Sequence, residues 1–184
     1  MNAPMILHFV PLLALLCWAA ATDLRERKIR NWLTLTLMLT GLAQSLMPIH
    51  SCTLGGSALG LLSGFGITLI LFLMGALGAG DVKLLAGVGA WLGPAGVLAV
   101  FVLEAILGLI IVLGQALWQR RLPVLLRNSA LVLVNVVHLN EVGMEHVKAT
   151  GKSARSVSRP LPYAVPTLAA VAILIFKSYI TPGI

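Results

Sequence analysis

Hydrophobic positions along this chain fall in long runs separated by short polar or glycine-rich breaks. The runs occupy 5–21, 32–47, 54–77, 84–92 and 95–118. A last one opens at Leu161-Pro162-Tyr163-Ala164-Val165-Pro166 and ends near Tyr179. Runs that approach the roughly 20 residues needed to cross a hydrocarbon core predict membrane-spanning helices. The first is a little short, and Thr22 and Asp23 extend it to the interface. Ala19-Ala20-Ala21 imitates a signal-peptide cleavage site, but nothing basic precedes the run and Arg25, Arg27, Lys28 and Arg30 follow it, so a retained span is expected.

The run 84–92 is too short to cross alone at about 1.5 Å per residue, so it is either a half-span or is extended by Asp81 to Lys83. Gly93-Pro94 breaks it. Gly56, Gly60 and Gly64 recur at the four-residue spacing that lets two helices approach closely. The stretch 122–139 is apolar but interrupted by Arg127 and Asn128, with Asn135 and His138 continuing a polar stripe, and reads as a helix lying in the interface rather than a further span. The hydrophilic stretch 140–159 reads as a cytoplasmic loop.

Six spans with both termini outside follow, within an all-α transmembrane bundle forming a single domain over 1–184. Every Lys and Arg except Lys177 then lies on the cytoplasmic side, as the positive-inside rule requires. A hydrophobic content of 59%, a charged content of 10% and a mean hydropathy of +0.98 agree, because no soluble core has that balance. The net charge of +7 sits in loops between apolar runs, which points to anionic lipid rather than nucleic acid as a partner. Cys17 and Cys52 form no C-x-x-C pair, so neither a zinc site nor a disulfide framework is indicated, and the pattern requires no metal or cofactor.

Against this background two carboxylates stand out. Asp81 lies in Leu77-Gly78-Ala79-Gly80-Asp81-Val82-Lys83-Leu84-Leu85, and Asp23 closes the first run. An acid beside hydrocarbon costs roughly 2.5 to 3.5 kcal/mol at a helix centre, so it needs a reason. On the expected topology both reach the same cytoplasmic depth. Two adjacent carboxylates share a proton, so the ionised one can take a proton from water while the other hydrogen-bonds a carbonyl under attack. Gly78 and Gly80 are expected to supply positive φ and close backbone approach, and Lys83 to bias the pair or bind lipid phosphate. The plainer alternative is that Asp81 caps the following helix and Asp23 pairs with Arg27. Glu104, inside the fifth run, is a weaker catalytic candidate that could instead hydrogen-bond a neighbouring helix. Ser63 and Cys17 lack a histidine on a shared face, and His8, His50, His138 and His146 are scattered, so a nucleophilic triad or histidine metal site is unsupported.

The segment Gly78-Ala79-Gly80-Asp81-Val82-Lys83-Leu84-Leu85, with Gly89-Ala90-Trp91-Leu92-Gly93 after it, resembles the type IV prepilin peptidases. These are aspartic proteases of the bacterial inner membrane, related more loosely to the GxGD proteases that include presenilin. Asp23-Leu24-Arg25 through Ile29-Arg30-Asn31 looks like that family's first aspartate segment, and Pro162-Tyr163-Ala164 resembles its Pro-Tyr/Phe-Gly element. Arg30 stands where the family commonly has proline and Ala164 where it commonly has glycine. The resemblance implies catalytic roles for Asp23 and Asp81 and places its motif glycines on Gly78 and Gly80. It also implies a pilin precursor as substrate, with a basic leader and a hydrophobic first helix, cut at the cytoplasmic boundary.

The cytosolic module with paired cysteines of long family members has no counterpart in this sequence, so N-methylation is not expected. The short form looks most like peptidases of tight-adherence or Flp-type pili. Enzyme and leader are both basic, so insertion of the pilin helix into lipid beside the site is expected to recruit it, with Glu26, Glu141 or Glu145 meeting leader charges. Two rival functions carry their own signatures. A small proton-coupled transporter would grade Asp23, Asp81 and Glu104 in depth, and a structural subunit of a secretion system would tolerate asparagine at both aspartates.

Overall fold

A computed structural model of the chain describes residues 8–46, 52–119 and 162–180, together with the isolated positions 123 and 127. The expected interfacial helix over 122–139, the basic loop 140–159 and most of the 48–53 outer loop lie outside the described residues. Among those described there are five helices and no strand: α1 Val10–Glu26, α2 Asn31–Gln44, α3 Leu54–Leu73, α4 Ala79–Trp118 and α5 Ala164–Ile180. Two of them, α3 and α4, are long and apolar enough to cross a membrane by length and composition, and α5 contains a shorter apolar stretch. The all-α reading therefore holds, while a count of six crossings goes beyond what these helices establish.

α4 has 40 residues and would be about 60 Å long if straight, twice the thickness of a hydrocarbon core. It is not straight. Gly93 has φ 73° and ψ −178°, backbone that only glycine adopts readily, and Pro94 follows it. A methyl group at Gly64 of α3 would lie 2.7 Å from the Leu85 carbonyl oxygen and 3.1 Å from Val97 Cγ2. Residues 85 and 97 thus face one point, although a continuous helix would hold them about 18 Å apart. The chain folds back at Gly93, and α4 is two antiparallel limbs, 79–92 and 94–118. The first limb begins at Ala79, so the short apolar run is extended through Asp81 and Lys83.

The packing inverts the pattern of a soluble protein. On α3 the buried face is Ser57, Gly60, Gly64 and Thr68, while Leu59, Leu62, Phe65 and Ile70 point outward. Small residues let backbones touch, and the large apolar side chains face away from the protein, the arrangement of helices packed in a membrane. The first limb of α4 occupies the centre, with Leu84 to Trp91 all buried. One side of it meets α3 at Gly60 and Gly64, and the other meets α2, where Gly87 lies against Leu37 and Gly41 against Ala90. Leu12 and Leu16 of α1, Leu33 and Leu37 of α2 and Val171 of α5 complete the apolar core.

Buried hydrogen bonds fix the register of these helices. Gln44 Nε2 donates to the Trp91 carbonyl at 2.9 Å and its Oε1 pairs with the His8 ring, while Trp91 Nε1 donates to the Leu37 carbonyl at 3.1 Å. The reverse end of the α1–α2 hairpin is closed by Arg27, whose left-handed backbone (φ 52°, ψ 34°) turns the chain while its N–H bonds the Asp23 carbonyl at 3.0 Å. That turn, followed at once by Lys28 to Arg30, brings α2 back beside α1 and leaves Asp23 one turn from the hairpin.

Candidate functional site

Both aspartates direct their carboxylates to helix N-termini, Asp81 its own and Asp23 that of α5, where orphan backbone N–H groups and the helix dipole favour a carboxylate. Asp81 is the third residue of α4, and its Oδ2 accepts from the Gly78 N–H at 2.9 Å. Asp23, in the last turn of α1, is only 7% exposed; its Oδ2 accepts from the Ala164 N–H, the first of α5, at 3.0 Å. The two carboxylates are close enough to interact electrostatically. Residues 58 positions apart by number are thus brought to one site by the α1–α2 hairpin and the start of α4.

Glu104 joins them. It is 2% exposed on the second limb of α4, and the reversal at Gly93 returns it to the level of Asp81, with which it also interacts electrostatically. Its Oε1 accepts from the Tyr163 hydroxyl at 2.5 Å and its Oε2 from the Thr167 hydroxyl at 2.8 Å. Glu104 therefore does hydrogen-bond a neighbouring helix.

The expectation of positive φ is corrected here. Gly78 has φ −87° and ψ 156°, and Gly80 lies inside α4, so neither uses positive φ; the turn between α3 and α4 takes it at Gly75, φ 78°. What Gly78 and Gly80 provide is room. A Cβ on Gly78 would stand 3.1 Å from Asp81 Oδ2, where the carboxylate folds back to cap the helix, and a Cβ on Gly80 would stand 3.2 Å from Ile29 Cβ in the α1–α2 turn. Gly80 thus sets how closely the Asp81 helix approaches the Asp23 hairpin. Lys83 is engaged with Asn31, donating to its Oδ1 at 3.0 Å and clamping α4 to the start of α2. Glu26 pairs with Arg30 at 2.8 Å, while Glu141 and Glu145 lie outside the described residues.

The capping alternative for Asp81 is real but does not exhaust the residue. A carboxylate offers about four lone-pair sites, and one N–H uses one of them. For Asp23 the side-chain partner shown is Ala164, which a sequence reading had no means to find. The same holds for Thr167 and for the bond Tyr163 makes, although Tyr163 and Ala164 themselves stand out in the Pro162-Tyr163-Ala164 element. Among the described residues no three His, Cys, Asp or Glu side chains converge as metal ligands would.

Two departures from the family pattern become intelligible. Position 164 serves through its backbone N–H, which alanine supplies as well as glycine. Arg30, at φ −70° and ψ 133°, holds a backbone conformation that proline also adopts.

The sequence signature of the type IV leader peptidase family matches residues 10–113, which contain Asp23, Asp81 and Glu104. A prepilin leader peptidase/N-methyltransferase of Klebsiella pneumoniae is 41% identical over 88 residues, covering 45% of this chain and 39% of that protein. No solved structure matches the chain. With the signature running from the first turn of α1 across the α4 reversal, over more than half of its length, the chain belongs to the type IV leader peptidase family.

Proposed function

We propose that this protein is a membrane-embedded aspartic endopeptidase that removes the basic leader from type IV or Flp-type pilin precursors at the cytoplasmic boundary of the bacterial inner membrane. The observation that supports the reading is that Asp23 and Asp81, from two hairpins, lie within electrostatic range of one another, each with one oxygen accepting from an N–H at a helix N-terminus. One member, ionised, takes a proton from a water molecule as its oxygen attacks the scissile carbonyl carbon. The other, protonated, donates a hydrogen bond to the carbonyl oxygen as charge develops there. Collapse of the tetrahedral adduct breaks the C–N bond, and the proton taken from water passes to the leaving amine. The helix N-terminal donors hold both carboxyl groups in place, so little reorganisation accompanies the reaction.

The proton-coupled transporter reading loses ground on the position of Glu104. A relay needs acids graded in depth, whereas the reversal at Gly93 brings Glu104 back within electrostatic range of Asp81, which is itself in range of Asp23. The substrate reading rests on the resemblance and on the likeness to the Klebsiella prepilin leader peptidase. Its test is co-expression of the full chain with candidate pilin precursors, scoring leader removal by wild type and by both aspartate variants.

Topology is tested separately. Reporters fused after Arg30, Lys83 and Arg155 are expected to report cytoplasm, and those at Ser51 and the C-terminus the outside. An outside signal at Arg155 would mean that 122–139 crosses, contrary to its reading as an interfacial helix.

The corrected role of Gly80 changes what its substitution should do. Gly80→Ala carries no φ strain and gains about 0.5 to 1 kcal/mol of helix propensity, so inserted protein should match or exceed wild type. The methyl presses on Ile29 by a few tenths of an ångström, which should slow leader removal by no more than about tenfold. Cleavage per unit of inserted protein measures this, and a loss above a hundredfold would restore a direct steric role against substrate.

A further inference from the structure

Glu104 takes no part in the dyad chemistry described above. A buried acid with both oxygens engaged by one neighbouring helix needs a purpose, since burial of a polar group is costly unless its partners repay it. Its two donors, Tyr163 and Thr167, flank Ala164 along the first turn of α5. Ala164 in turn presents the N–H that holds Asp23 Oδ2. The chain of contacts runs from the second limb of α4, through the first turn of α5, to the carboxylate at the end of α1.

We infer that Glu104 is a positioning residue for Asp23, fixing the start of α5 so that the Ala164 N–H meets the carboxylate in its reactive geometry; this rests on the peptidase reading above. Glu104 need not touch substrate to act this way. The link between α4 and α5 is directional, because the hydroxyls of Tyr163, just before α5, and Thr167, in its first turn, grip the two oxygens of one carboxyl group. Rotation or axial sliding of α5 would break both bonds and withdraw Ala164 from Asp23.

Proton accounting decides which substitution should be tolerated. The single Thr167 hydroxyl proton has two acceptors within reach, Glu104 Oε2 at 2.8 Å and the Tyr163 carbonyl at 3.0 Å. In Glu104→Gln the amide oxygen can accept from Tyr163, while the amide nitrogen donates to Thr167, whose own proton then goes to the Tyr163 carbonyl. Glu104→Leu keeps similar bulk and removes every one of these bonds. Gln should therefore rescue what Leu destroys.

The test uses the full-length protein in lipid with a pilin precursor as substrate, with kcat and KM measured per inserted molecule. Glu104→Leu is expected to lower kcat by about tenfold to a hundredfold, as for a reacting group displaced by about 1 Å, with KM within about twofold of wild type. Glu104→Gln should keep most of the wild-type kcat. The double variant Tyr163→Phe/Thr167→Val should lose as much as Glu104→Leu, and combining all three should add little further loss. If Glu104→Leu does not insert, the double variant decides alone by the same kcat and KM criteria.

A role confined to packing would reduce the amount of inserted protein and leave kcat unchanged, which overturns the proposal. So does a Gln variant as slow as the Leu variant, because the negative charge itself would then be required. Asp23→Asn run in parallel separates the two levels of inference. An active Asp23→Asn enzyme defeats the peptidase reading and this proposal with it, whereas an inactive one beside a Glu104→Leu variant of wild-type kcat defeats the positioning role alone.

Discussion

Leader removal is expected to fall by about 100- to 10,000-fold when either Asp23 or Asp81 is replaced by asparagine, the range that acid–base groups supply to a transition state. Asparagine matches the carboxyl in shape, and the bonds that seat each residue survive the change. The Asn oxygen at position 81 can still accept from the Gly78 N–H, and that at position 23 from the Ala164 N–H. Both variants should therefore insert at wild-type levels and fail only in chemistry, since an amide cannot cycle the catalytic proton. The double variant should be scarcely slower than either single one, because two groups that act as a unit are not additive. Cleavage of a co-expressed pilin precursor, normalised to inserted enzyme, measures all three. Wild-type processing by either single variant would sink the aspartic mechanism for this chain.

What the sequence made legible was the material of the site more than its assembly. Long apolar runs became helices, the Gly93-Pro94 pair became a reversal, and the two acids singled out at the ends of apolar runs lie within electrostatic range of one another. Those features are local or follow from the cost of burying charge, so they can be read without tertiary information. The backbone at the Asp81 motif could not be read in that way. A glycine-bracketed acid suggests positive φ, yet the turn takes it at Gly75, and Gly78 and Gly80 are small because Asp81 Oδ2 and Ile29 lie beside them. The sequence shows that a residue is small without showing which neighbour requires it. The Tyr163 to Glu104 bond joins residues 59 positions apart and is visible only in the folded chain. Arg27 adopts a glycine-like φ without being glycine, because the immediate return of α2 beside α1 outweighs the roughly 1 to 2 kcal/mol that a left-handed residue costs.

The glycine stripe of α3 illustrates the same limit and yields the largest expected effect on folding. All three of Gly56, Gly60 and Gly64 fit a close-packing pattern, but they do not carry equal weight. A Cβ on Gly56 would meet chiefly Cys52 Sγ, the end of a side chain in the preceding turn. A Cβ on Gly60 would lie 2.1 Å from the Gly89 carbonyl oxygen and 2.7 Å from the Gly93 backbone, and one on Gly89 would lie 2.1 Å from the Gly60 carbonyl oxygen. The backbones of α3 and α4 touch there in both directions, and no rotamer change can make space.

Gly60→Ala must push α3 away from the central limb, with an overpacking cost of about 1 to 3 kcal/mol before lost contacts at Gly64 are added. Its small gain in helix propensity, about 0.5 to 1 kcal/mol, does not offset that. A net loss of that size is enough to lower membrane abundance several-fold. Gly66→Ala is the matched control, because nothing lies within 4 Å of the added methyl and only the propensity gain remains. Gly56→Ala should fall between the two. Quantifying inserted protein for the three variants gives the order Gly66→Ala, Gly56→Ala, Gly60→Ala from most to least abundant. Molecules of Gly60→Ala that do fold should also cleave more slowly, since the displaced limb carries Asp81. Equal abundance of Gly60→Ala and Gly66→Ala would show that α3 and α4 do not meet backbone to backbone at this crossing.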